Sequence, residues 1–237
     1  MKKELIILNL GRTPYGLAWD LQKKIFSLRL TEKISDVLIL TEHEHVYTIG
    51  KSGSDNHLLA AQKELLNGNV ELYHIDRGGD ITYHGPGQLV GYPILNLSDY
   101  YQDIHKYLRD LEEVIIRTLS AYDIKAMRDP EYTGVWVGDE KIAAIGIKVS
   151  RWITMHGFAL NVSNDLRYFD RIIPCGIFHK GVTTMEKITG RNFSINDVAE
   201  TISQNFLEVF GCTWNSKINE EYISYIKKIS EEKIECI

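Results

Sequence analysis

Arg77-Gly-Gly-Asp-Ile-Thr-Tyr-His-Gly-Pro-Gly-Gln88 places four glycines, a proline, two ring side chains and one cation within twelve residues. Glycine admits positive φ and lets backbone N–H groups approach a ligand with no Cβ in the way, while Arg77, Tyr83 and His84 supply directed polar contacts. A plain turn would use Gly and Pro only as punctuation. Here the apolar runs on either side, Val70-Glu-Leu-Tyr-His-Ile75 and Leu89-Val-Gly-Tyr-Pro-Ile-Leu95, read as buried strands. The segment is then a loop on a rigid scaffold, where binding groups concentrate.

The 237 residues, 44% hydrophobic, suit one large domain, and no Pro/Ser-rich or low-complexity stretch offers a linker. Residues 1–237 are read as one domain, with no distinctive motif from about residue 194 onward. No apolar run reaches membrane-spanning length, and Met1-Lys-Lys leads into the alternating strand Leu5-Ile-Ile-Leu-Asn-Leu10 without a cleavage site. Three cysteines, Cys175, Cys212 and Cys236, with no Cys-x-x-Cys spacing fit a reducing compartment. The expected location is cytoplasmic, with no membrane partner. A net charge of −5 speaks against nucleic acid as a partner. Between Lys141 and Arg191, however, eight Lys and Arg face three acids, so an acidic body carries one basic segment, a candidate docking surface for acidic proteins.

Apolar spacing from Pro14 to Leu30 predicts a helix with Thr13 as N-cap and Pro14 at its first position. Strands are predicted at Asp36–Thr41, Val46–Ile49 and Ile124–Met127, a short helix at Leu58–Leu66, and a strongly amphipathic helix at Ile104–Tyr122. Val135–Val149 reads as a hairpin turning at Gly138-Asp139, followed by a strand through Trp152–Val162. Ser194-Ile-Asn-Asp197 has capping-box spacing and opens a helix to Phe210, and a last helix covers Asn219–Glu232. Strands in the middle with flanking helices give an α+β class with a mixed sheet.

Cys175 stands in Pro174-Cys-Gly-Ile177. A lone Cys is by default a small core hydrophobe. Pro174 fixes the approach, though, and Gly176 clears the next backbone N–H, as an oxyanion beside the sulfur would require. A thiolate needs a partner: His84 and His156, both in Gly-rich segments, are two candidates. Lys141, at the head of the apolar strand Ile142-Ala-Ala-Ile-Gly-Ile147, is the third, unless it is simply an exposed turn residue. Glu42-His-Glu-His45 would align His43 and His45 on one strand face, but spacing supplies no third ligand and no metal is assigned. The four tryptophans read as core or rim aromatics. Neither a phosphate loop, a dinucleotide fingerprint nor a Gly-x-Ser-x-Gly elbow is present, so no cofactor is called for.

Five segments, Glu44-His-Val-Tyr-Thr-Ile-Gly50, Arg77 to Gln88, Lys141-Ile-Ala-Ala-Ile-Gly-Ile147, His156-Gly-Phe-Ala-Leu-Asn-Val162 and Pro174-Cys-Gly-Ile177, taken in this order, closely resemble the octanoyltransferases of lipoate biosynthesis. The resemblance implies the biotin/lipoate protein ligase-like fold, a mixed β-sheet flanked by helices with a tunnel for an acyl chain. It implies transfer of octanoyl from octanoyl-acyl carrier protein to a lysine of lipoyl domains, in E2 subunits and the glycine-cleavage H protein. By motif position Cys175 is the acyl-thioester nucleophile and Lys141 lowers its pKa. Arg77, Gly78, Gly79, Asp80, Ile81, Thr82, Tyr83 and His84, with Ala144, Ile145, Gly146, Gly157, Phe158 and Ala159, correspond to the substrate-binding segments. An ATP-dependent lipoate–protein ligase of the same fold and a non-catalytic acyl-binding module are the alternatives.

Overall fold

Alternation along the strands decides the layers. Val37 and Ile39 turn to one core, with Ile6, Leu8, Val90 and Tyr92. Leu38 and Leu40 turn to the other, with Leu5, Leu89, Leu160 and a set of helical residues. A strand buried on both faces belongs in the middle of a sheet covered by helices. The computed structural model describes residues 3–59, 70–173 and 181–215.

In chain order the described elements are β1 (Lys3–Arg12), α1 (Tyr15–Leu30), β2 (Asp36–Glu42), β3 (Val46–Ile49), β4 (Glu71–His74), β5 (Ile81–His84), β6 (Gln88–Ile94), α2 (Ile104–Ser120), β7 (Met127–Arg128), β8 (Val135–Val137), β9 (Glu140–Ser150), β10 (Ile153–Asn161), β11 (Gly181–Val182), α3 (Met185–Thr189), α4 (Ile195–Phe210) and β12 (Cys212–Trp214). The large sheet runs β12-β1-β2-β6-β10-β9-β8-β7, with β11 added beside β9, and a small sheet runs β4-β3-β5. Its β12-β1-β2 part is parallel and the β2-β6-β10-β9-β8-β7 part antiparallel, so the mixed sheet flanked by helices stands as expected. Ala18 and Ile25 of α1 close one core, while Leu111, Val114 and Ile115 of α2 and Val198, Ile202 and Phe206 of α4 close the other.

The start of α1 differs from expectation. Pro14 occupies the N-cap and no side chain caps the helix. Thr13 is committed elsewhere: its hydroxyl donates to Leu10 O at 3.2 Å and its carbonyl lies 2.7 Å from His43 Nδ1. Ser194 caps α4 as expected, accepting from Asp197 N. Leu58 is extended rather than helical and pairs with Ile172, Leu59 N donates to Arg171 O, and residues 60–66 of that expected helix lie outside the described residues, as does the helix expected at 219–232. Among the described residues no helix is long and apolar enough to cross a membrane.

Gly91 faces Phe158 across β6 and β10, and a Cβ at Gly91 would lie 2.2 Å from Phe158 Cζ. Gly91→Ala should therefore overpack the centre of the sheet, costing about 1–3 kcal/mol and several degrees of Tm in a chain of this length. Thermal unfolding checks this, and an unchanged Tm would show that the Phe158 ring has room to move.

Candidate active site

β9 and β10 pair with Gly146 opposite Gly157 and Ala144 opposite Ala159. Alternation puts these four residues on one face, whereas Phe158 and Ile145 belong to the main core. For two successive rungs the sheet offers almost no side chain, leaving a shallow floor. A cavity of about 390 Å³ opens there, lined mainly by apolar groups.

The Gly-rich loop forms the wall above this floor. Gly78 N donates to Ile147 O at 2.8 Å, and a Cβ on Gly146 would meet Arg77 Cδ and Gly78 O at 3.0 Å each. Gly79 takes φ +86, and its carbonyl would lie 2.3 Å from a Cβ at Gly50. The glycines of this loop thus serve close backbone packing against the sheets. Arg77 is buried and donates from Nη2 to Thr48 O at 2.7 Å and Thr48 Oγ1 at 3.0 Å. Asp80 accepts from Ile81 N at 2.7 Å and pairs with His57 Nδ1 at 2.6 Å.

Three histidines beside the cavity are held neutral. His84 donates from Nδ1 to Gln88 Oε1 at 2.7 Å, and Gln88 is oriented by its own donation to Asn161 Oδ1 at 2.8 Å. Burial pushes the His84 pKa down to about 3. His43 donates to Thr13 O and so must accept at Nε2 from the Tyr92 hydroxyl, 2.7 Å away; burial lowers its pKa to about 4. His156, at φ +60 within β10, bonds Asp76 Oδ1 at 2.8 Å, and burial, partly offset by Asp76, lowers it to about 4. Burial pushes the Asp76 carboxyl up, but hydrogen bonds from His156 and Lys148 outweigh it and hold the group below the usual range.

Lys141 reaches the cavity through a β-bulge. Across β8 and β9 Val135 faces Ala143, yet the next residue, Trp136, faces Lys141, which leaves Ile142 as the extra residue. Ile142 and Ala143 both enter the main core with Val135. The alternation is thereby reset, and Lys141 comes out on the face of Ala144 and Gly146, beside Trp136 and on the cavity wall.

Cys175 lies outside the described residues, as do Pro174, Gly176 and the other positions to Lys180. The chain on either side of them is anchored at this site. Ile173 N donates to His57 O at 2.8 Å, and His57 is the partner of Asp80; on the C-terminal side, Val182 pairs with Lys141.

Of the residues expected to bind substrate, Arg77, Gly78, Gly79, Asp80, Ile81, Thr82, His84, Ala144, Ile145, Gly146, Gly157, Phe158 and Ala159 line the cavity together with Lys141. Tyr83 does not. On β5 it points away from Thr82 and His84, stacks on Tyr168 at 4.7 Å and meets His45 Nδ1 through its hydroxyl at 2.7 Å. Tyr15, Val90, Tyr92, Tyr132 and Trp136 also line the cavity and carried no local signal in the sequence beyond apolar character. Within the basic segment, Lys148 pairs with Asp76, Arg167 with Asp165, Lys187 with Glu140 and Arg191 with Asp123, so local acids offset much of its charge. Among the described residues no three His, Cys, Asp or Glu side chains gather as a metal site.

The chain belongs to the lipoyl protein ligase A/B catalytic domain family, whose model matches residues 14–207. A curated octanoyltransferase of Christiangramia forsetii is 49% identical over 227 residues, covering 89% of this chain and 97% of that relative. The octanoyltransferase of Rubrobacter xylanophilus is 51% identical over 203 residues, covering 85% of this chain and 91% of the relative. Among solved structures, the bipartite lipoate protein ligase of Thermoplasma acidophilum superposes with a TM-score of 0.72 at 18% identity, covering 91% of this chain and 86% of that one. The expected lipoate ligase-like fold is therefore the observed one.

The buried histidines give a pH prediction. The unfolded chain takes up a proton at His43 below its ordinary pKa of 6.5, whereas the folded protein refuses it until about 4. Stability must fall as pH drops through that window and level off below it, and His43 contributes roughly 2 kcal/mol of the loss between pH 7 and 5. His43→Gln should make the fall shallower by that amount in denaturant unfolding at the two pH values. An identical pH slope in the two proteins would show that His43 is not held neutral.

Proposed function

We propose that this protein transfers an octanoyl group from octanoyl-acyl carrier protein to the acceptor lysine of lipoyl domains, those of E2 subunits and the glycine-cleavage H protein, through a thioester on Cys175. It is an octanoyltransferase by its relation to the curated enzymes of that name, which extends over most of the chain. The observation that carries the mechanism is the floor of small residues, Ala144, Gly146, Gly157 and Ala159, with Lys141 turned onto the same face. An apolar floor of this size suits an acyl chain, and a lysine at its edge suits the reacting carbonyl.

A thiolate at neutral pH needs a cation. His84 and His156 cannot supply one, because burial keeps both rings neutral. Arg77 is charged but its guanidinium is engaged with Thr48. Lys141 is the remaining partner among the three weighed from the sequence. Val182 pairs with Lys141 and Ile173 is tied through His57 to Asp80, so described residues on both sides of Cys175 in the sequence meet this site, which supports Lys141 as the partner.

In the first half-reaction the Cys175 thiolate attacks the donor thioester, the new C–S bond forms, the bond to the carrier's sulfur breaks, and the departing thiolate takes a proton from the Lys141 ammonium. The second half-reaction reverses the proton flow: the neutral acceptor amine attacks, Lys141 takes its proton, the amide forms, and Cys175 leaves as thiolate, restoring the ion pair. The donor is already an activated acyl group, so no ATP enters the balance.

Cys175→Ala should abolish transfer to a lipoyl domain while Cys212→Ala leaves it unchanged, since Cys212 is buried against Tyr100 away from the cavity. Transfer by Cys175→Ala at even a tenth of the wild-type rate would rule out the covalent route.

A further inference from the structure

We infer that Trp136 is a positioning residue for this reaction: its ring face holds the Lys141 side chain over the cavity as an ammonium ion. The inference rests on the proposed role of Lys141. Trp136 and Lys141 are cross-strand partners at the bulge, and Nζ lies 4.7 Å from the ring centroid. The ring is itself fixed. Trp136 is among the largest fully buried side chains, its Nε1 donates to Tyr132 O at 3.3 Å, and Tyr132 packs against it at 6.2 Å.

The stem of Lys141 is guided as well. Gly134, at φ +130, would with a Cβ meet Lys141 Cε at 3.4 Å and Cδ at 3.5 Å, so the methylenes run along its backbone. The ammonium therefore projects from a channel between Gly134 and the Trp136 ring. An electron-rich ring face favours the cation over the neutral amine. Of the acids on neighbouring positions, Glu112 pairs with Arg109 and Arg128 and accepts from Gly134 N, and Glu140 pairs with Lys187. Glu131 and Arg77 also line the cavity.

The test is an NMR titration of Lys141 in full-length protein labelled with ¹³C-lysine, its resonance assigned by its loss in Lys141→Met. In Trp136→Leu the midpoint should move to lower pH by on the order of one unit, and Trp136→Phe should restore part of that shift. Biosynthetic replacement of tryptophan by increasingly fluorinated analogues, which drain the ring face at nearly constant shape, should lower the midpoint stepwise in the wild-type sequence but not in a Trp136→Phe background. The alkaline limb of kcat/KM for octanoyl transfer should follow the same order. A midpoint indifferent to fluorination and to the Phe and Leu replacements overturns the inference. Because the titration needs no turnover, that failure is distinct from a failure of the transfer reaction itself.

Discussion

Ile142 has no partner in β8, so it and Ala143 both turn into the main core, and every side chain before them changes face. On an unbulged β9, Lys141 would share the face of Ala143 and Ile145, on the far side of the sheet from the small residues. With the extra residue, the strand contributes two buried apolar groups to the core and a lysine to the cavity. Trp136 in β8 follows the same logic from the other side, since it alternates with the buried Val135 and lands beside the lysine.

The floor works because the residues missing there are compensated elsewhere. Ile145 and Phe158, between the small residues in each strand, pack into the core that α2 and α4 cover, so the strands stay anchored on one face while open on the other. Above them the loop at 77–80 is held by backbone contacts to β9 and by Arg77 on Thr48. The electrostatics divide in the same way. Burial strips charge from His43, His84 and His156, whose ring nitrogens serve as fixed hydrogen-bonding groups, while the basic side chains that line the cavity are Arg77 and Lys141.

How much of this is legible in the sequence depends on range. The Gly-rich loop and the pairs Ala144/Gly146 and Gly157/Ala159 announce themselves, because a strand that alternates small with large residues shows which face is open. The bulge does not, since it is defined by pairing with β8 rather than by local alternation, and Lys141 reads equally well as a turn residue. Tyr83 sits inside a conspicuous motif, yet the two-residue period of β5 carries it to the opposite face from His84. Thr13 looks like a cap by residue type, but a long-range bond from His43 claims its carbonyl. The basic segment stands out as a run of charge, and only the fold reveals that Asp76, Glu140 and Asp123, distant in sequence, pair with its members.

In the proposed reaction the octanoyl group passes through a covalent bond to the enzyme without ATP. Intact-mass measurement after mixing the protein with octanoyl-acyl carrier protein, in the absence of nucleotide and acceptor, tests it directly. A mass gain of one octanoyl group, removed by hydroxylamine and mapped by proteolysis to the peptide containing Cys175, is the predicted result. An unmodified enzyme that still octanoylates a lipoyl domain, or one that needs ATP to do so, would contradict it.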